Sequence, residues 1–143
     1  RFEPSGAVWQ ADLLRYLVVS DDTGREREHV PWLFTMDVDG RVDTEPLSVS
    51  GIDELNDLES VASDADGSIY LLSSQSHSNK GNRPRSRTAF LRLAASGRSY
   101  SVTCELHIAE ALDAADASLR SRLGLDDGTR GRRQDFFARL IQA

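Results

Sequence analysis

Asp57-Leu58-Glu59-Ser60-Val61-Ala62-Ser63-Asp64-Ala65-Asp66-Gly67-Ser68-Ile69-Tyr70-Leu71-Leu72-Ser73-Ser74 holds two short apolar runs separated by an Asp/Gly-rich break. Such a break supplies the residues a hairpin turn needs for positive φ, so the stretch predicts two antiparallel strands, about 58–63 and 68–74. Working outward, an upstream segment matches it at a shift of 54. Ala11-Asp12 falls on Ala65-Asp66, Tyr16-Leu17 on Tyr70-Leu71 and Ser20 on Ser74, with Val8 opposite Ala62 and Val18 opposite Leu72. Farther on, a shift of 57 lays Leu33, Phe34 and Met36 on Phe90, Leu91 and Leu93, and Gly40-Arg41 on Gly97-Arg98. The change of offset falls in a loop, where insertions cost little.

Two copies of a unit of about fifty residues therefore emerge, spanning about 3–50 and 57–107. The first reads as strands at about 6–9, 13–20, 31–38 and 41–49; the second at about 58–63, 68–74, 87–94 and 98–107. Turns at Asp37-Val38-Asp39-Gly40 and Ala95-Ser96-Gly97 support the divisions. Past 107 the apolar period changes. Ile108, Ala111, Leu112, Ala115, Leu119 and Leu123 recur at three- and four-residue steps, which predicts a helix over about 107–124. Phe136, Phe137, Leu140 and Ile141 suggest a second over about 131–142. The expected fold class is mainly β: two four-stranded antiparallel, blade-like sheets over 1–107, a partial β-propeller, then a helical segment over 108–143. A β-sandwich with C-terminal helices is the alternative. Trp9, Trp32, Phe34 and Phe90 are expected to fill the sheet core.

The 143 residues are 39% apolar, enough for a core and too apolar for a disordered chain. Charge is unevenly spread: residues 1–79 carry 16 Asp/Glu and 5 Arg, residues 80–143 carry 7 Asp/Glu and 12 Lys/Arg, giving −6 overall. An acidic first half opposes a general polyanion binder but leaves room for a local anion site in the second. Nucleic acid ranks last among partners, because the basic segment lacks interleaved aromatics. Cys104 is the only cysteine, which rules out an intrachain disulfide and a cysteine zinc site. No apolar run is long enough to span a bilayer as a helix, and the compartment stays open.

A repeated four-stranded unit of this length points to propeller blades. Glu3-Pro4-Ser5-Gly6, Asp57-Leu58-Glu59-Ser60, and Ser73-Ser74-Gln75-Ser76-His77-Ser78-Asn79-Lys80-Gly81 leading to Arg83-Pro84-Arg85-Ser86-Arg87 resemble bacterial propellers of the esterase-like phytase group and a related propeller family. Ser60 stands where that pattern has glycine. The resemblance covers about 3–95, and it implies that Glu59 serves as an opening-strand metal ligand. Propellers close with about four to eight blades, and two are present. Additional blades, ring closure by oligomerisation, or a compact sandwich would each resolve the shortfall.

Two clusters stand out for chemistry. Asp57 and Glu59, two apart, would share one face of an extended strand, with Glu3 and Ser5 in the equivalent places of the other unit and Asn56 adjacent. Oxygen donors gathered in this way suit Ca²⁺. The plainer alternative is a set of carboxylates bonded to turn amides. In the loop from Ser73 to Arg87, the alternation of Arg83, Arg85 and Arg87 would place three guanidinium groups on one side of an extended segment. Ser76, Asn79 and Lys80 lie beside them and complete a candidate anion site. Together the clusters predict a domain that binds a divalent cation and an anionic small molecule, an arrangement that extends to a metal-dependent phosphoester hydrolase. The rival is a non-catalytic propeller-like module whose loops contact a protein partner. Ser76-His77 is no nucleophile–base pair, since neighbours in an extended loop point apart. His29 and His107 read as surface or strand-end residues. Asp21-Asp22 end the second strand.

Overall fold

A computed structural model describes residues 3–22, 33–78 and 80–113. The chain divides into compact units Arg1–Ala109 and Glu110–Ala143, and the β-strands all belong to the first. The strands are β1 (Glu3–Gln10), β2 (Arg15–Asp22), β3 (Leu33–Met36), β4 (Ser48–Ser50), β5 (Leu58–Ser63), β6 (Ile69–Ser73), β7 (Ala89–Ser96) and β8 (Ser99–His107). A 3₁₀ turn spans Arg85–Arg87, and a short helix, α1 (Ile108–Asp113), begins where the apolar period changes. The rest of the first expected helix and all of the second, at about 131–142, lie outside the described residues.

The fold is mainly β, in two sheets, with strand order β1-β2-β3 in one and β4-β8-β7-β6-β5 in the other. Three and five strands replace the expected four and four. The difference lies in the segment after β3. Its turn delivers Val42 beside Met36, and the Asp43 and Leu47 amides donate to the Thr35 and Leu33 carbonyls at 2.8 and 2.7 Å. No full ladder forms there, because Pro46 has no N–H and the Asp43 carboxylate captures the Glu45 amide at 3.3 Å. Leu47 then anchors the chain in the core, and β4 runs parallel to β8, with Ser48 opposite Ser99 and Ser50 opposite Ser101.

Period-two alternation explains the packing. Leu17, Val19 and Leu33 of the three-stranded sheet share one core with Leu58, Val61, Ile69, Leu71, Leu91, Leu93 and Tyr100 of the other. Gly6 marks how closely the sheets approach: a Cβ there would meet the Val61 nitrogen at 3.2 Å and the Ser60 Cα at 3.3 Å. Trp9 departs from its expected core role and is half-exposed, edge-on to Tyr16 with ring centroids 5.0 Å apart. Phe34 is buried, Phe90 only partly so, and Trp32 lies outside the described residues.

The two hairpins differ by one residue. Val8 pairs with Leu17 in the first, so a strict shift of 54 would set Ala62 opposite Leu71; instead Ala62 pairs with Tyr70. The cause is a connection one residue shorter, eight steps from Ala62 to Tyr70 against nine from Val8 to Leu17, with the turn closed by Asp64. Its Oδ1 accepts from the Asp66 and Ser68 amides at 3.0 and 2.9 Å, and Gly67 sits at φ 79°. Asp37 builds the same arrangement after β3, accepting from the Asp39 and Arg41 amides at 3.0 and 2.8 Å.

Candidate functional site

β5 begins where β6 ends, with Leu58 opposite Ser73, and the chain then reaches β7 through the 74–88 loop, so the start of β5 faces both ends of that loop. The Asn56 amide donates to the Ser86 carbonyl at 3.0 Å, the Ser74 amide to the Asp57 carbonyl at 2.8 Å and the Gln75 amide to the Arg87 carbonyl at 2.9 Å. The Ser73 hydroxyl donates to the Ser86 carbonyl at 3.2 Å. These bonds hold two non-glycine residues in the left-handed region, Asp57 at φ 59° and Gln75 at φ 61°. Such backbone costs about 1–2 kcal/mol per residue and persists where the surroundings over-determine it.

Side chains complete the cluster. Arg87 Nη1 lies 2.6 Å from Asp57 Oδ2, with 21% and 17% of the two side chains exposed. The Ser76 hydroxyl donates to the same oxygen at 2.9 Å, and so does the Ser74 hydroxyl. Arg87 Nη1 also donates to Ser76 Oγ at 3.0 Å. Three donors from residues 17 to 30 positions away in sequence thus converge on one carboxylate oxygen. Charge-assisted bonds of this kind are about twice as strong as neutral ones, and partial burial protects them from screening.

Of the anion-site residues expected from sequence, the structure brings Ser76 and Arg87 together. The extended alternation of Arg83, Arg85 and Arg87 does not form. Pro84 is extended at φ −66°, but Arg85–Arg87 then close a 3₁₀ turn, with the Arg87 amide donating to the Pro84 carbonyl at 3.0 Å. With about three residues per turn, positions two apart point in different directions. Arg87 reaches Asp57, Arg85 and Lys80 are exposed, and Arg83 is half-buried. Asn79 lies outside the described residues.

The expected Ca²⁺ ligands are not assembled. Asp57 precedes β5 in a left-handed conformation, and Glu59 is the residue skipped where Leu58 pairs with Ser73 and Ser60 with Leu72. Strand alternation therefore does not carry Asp57 and Glu59 to one face. On β1, Ser5 is skipped in the same way between Pro4 and Gly6; its hydroxyl donates to the Leu58 carbonyl. The Glu3 amide and carbonyl engage the Ser20 hydroxyl at 3.1 and 3.0 Å. Among the described residues no three His, Cys, Asp or Glu side chains gather in a way that could hold a metal ion. The Asp57 carboxylate is engaged by Arg87 and two serine hydroxyls.

His107 ends β8, the strand-end alternative of the sequence reading, but as a buried side chain with partners that reading did not foresee: Nδ1 lies 2.9 Å from Thr88 Oγ1, and Nε2 lies 2.7 Å from Glu105 Oε1. Glu105 sits two residues away on one face of the strand, a visible signal, but Thr88 joins only through pairing of β7 with β8. His29 lies outside the described residues, as do the side chains of Asp21 and Asp22. No described helix is long and apolar enough to cross a membrane. No family model matches the chain, no curated protein matches it, and no solved structure matches it.

Proposed function

We propose that the β-sheet unit is a non-catalytic, propeller-like interaction module that receives a protein partner on the outer face of its five-stranded sheet. One observation carries the reading: a cross-strand row of Leu72, Phe90 and Leu106, in register on that face and opposite the core. Tyr70 stacks on Phe90 with centroids 5.9 Å apart, and Leu106 is 44% exposed. An apolar row of this kind has the composition of a surface that stacks against a further sheet, as the inner face already does. A partner sheet of the same type, in additional blades or a second chain, would bury that row. The phosphoesterase reading draws less support, since Asp57 is engaged by Arg87, Ser74 and Ser76 and not paired with a second carboxylate.

A photo-cross-linking amino acid at Leu106 tests the reading, with Arg41, exposed in the turn that follows β3, as control position. Cross-links to a β-sheet partner are expected from position 106 and not from 41. Leu106→Glu should abolish partner binding at least tenfold while leaving the melting temperature within a few degrees, because the side chain is outside the core. Equal cross-linking from both positions would sink the idea.

A further inference from the structure

We infer that Ser74, Ser76 and Arg87 form an oxyanion cradle that Asp57 keeps closed as a tethered internal ligand, and that a compact oxyanion, a carboxylate or a phosphate monoester, can take its place. The inference stands apart from the outer-face reading and rests on different residues. Three donors meet at a single oxygen, Asp57 Oδ2: both serine hydroxyls and Arg87 Nη1. That is the geometry a binding site presents to one oxygen of an anion. Asp57 uses the cradle incompletely. Among the described residues nothing else bonds to its Oδ1, and Arg87 donates only through Nη1, to Asp57 and Ser76. Among the described residues none is bonded to Arg87 Nη2, which stands beside Nη1 for the second oxygen of a free carboxylate or phosphate.

The Ser74 and Ser76 oxygens also lie 2.8 Å apart, so two hydroxyl protons face three contacts, and the closed arrangement does not satisfy all of them at once. A ligand oxygen in the place of Asp57 Oδ2 would inherit the three donors, and its second oxygen would add a bond to Arg87 Nη2. Access exists, because both Asp57 and Arg87 are partly exposed. The tether acts as a competitor at an effective concentration of about millimolar or above, which keeps wild-type affinity low.

Asp57→Gly removes the internal ligand and suits the backbone, since glycine adopts positive φ without strain. Calorimetric titration of the purified chain with inorganic phosphate, and separately with acetate, reads the result. The variant should bind at least one of the two at least tenfold more tightly than wild type, and the preferred probe identifies the ligand as phosphate-like or carboxylate-like. Asp57→Gly/Arg87→Gln should return to the wild-type value. No gain with either probe overturns the inference, as does a gain that survives loss of Arg87. If Asp57→Gly does not melt cooperatively, Asp57→Asn replaces it in the same titrations, because asparagine tolerates the left-handed region and lacks the charge.

Discussion

Asp64 shows how one side chain sets both a turn and a pH response. Its Oδ2 accepts from the Tyr70 hydroxyl at 2.8 Å. That bond, helped by the Ser68 and Asp66 amides, holds the carboxyl below its ordinary 3.8, and the same bond raises the Tyr70 hydroxyl above its ordinary 10.0. The folded state therefore gives up the Asp64 proton more readily than the unfolded chain, so this contribution is complete above the ordinary carboxyl value and fades as pH falls through the lower folded one. For Tyr70 the folded state holds its proton longer, and the contribution fades as pH rises from about 10 toward the raised folded value. Tyr70→Phe is expected to flatten both limbs while preserving the stack on Phe90. Thermal melts across the range from about pH 2 to pH 11 check it. The Asp64 turn was legible in sequence, because its amide donors lie within four residues. The Asp57–Arg87 pair was not, because 30 residues separate its members. The alternation that marked the arginines belongs to extended chain, whereas a 3₁₀ turn formed.

Among the elements, the β1–β2 hairpin carries a local conflict. Its turn is tight, with the Leu13 amide donating to the Gln10 carbonyl and the Leu14 amide to Ala11, both at 3.2 Å. Leu14 closes it at φ 50° while 72% exposed. A leucine gains nothing there from burial and bears the left-handed cost of about 1–2 kcal/mol, against about 0.5–1 for the extra chain freedom of glycine. Leu14→Gly should therefore stabilise the protein by about 0.5–1 kcal/mol, read as a higher urea midpoint with unchanged slope. The expected strands at 13–20, 58–63, 68–74, 87–94 and 98–107 each overlap an observed one, since alternating apolar residues bounded by Gly and Asp specify a strand locally. The strand expected at 41–49 formed only at Ser48–Ser50 and joined the other sheet. Propensity gives no information on which edge is free.

For the molecule as a whole, the approach of the two sheets is the most constrained feature. Gly6 on β1 lies against the β5 backbone, and the Val19 side chain also closes on it at 3.3 Å. Gly6→Ala should force β1 away from Val61 and Ser60 and cost about 1–3 kcal/mol, because backbone atoms cannot swing aside as a flexible side chain would. Chemical denaturation checks it, and a neutral result would mean the sheets can slide. Sequence by itself determined the β class, most strand positions, the Asp-closed turns and the uneven charge, because each depends on residues within a few positions of one another. Tertiary structure alone decided that β4 crosses to β8, that skipped residues take Ser5 and Glu59 out of strand alternation, and that Asp57 meets Arg87, Ser74 and Ser76 instead of two other carboxylates. Those outcomes depend on how the sheets pack and where bulges fall, which no pattern along a single strand records.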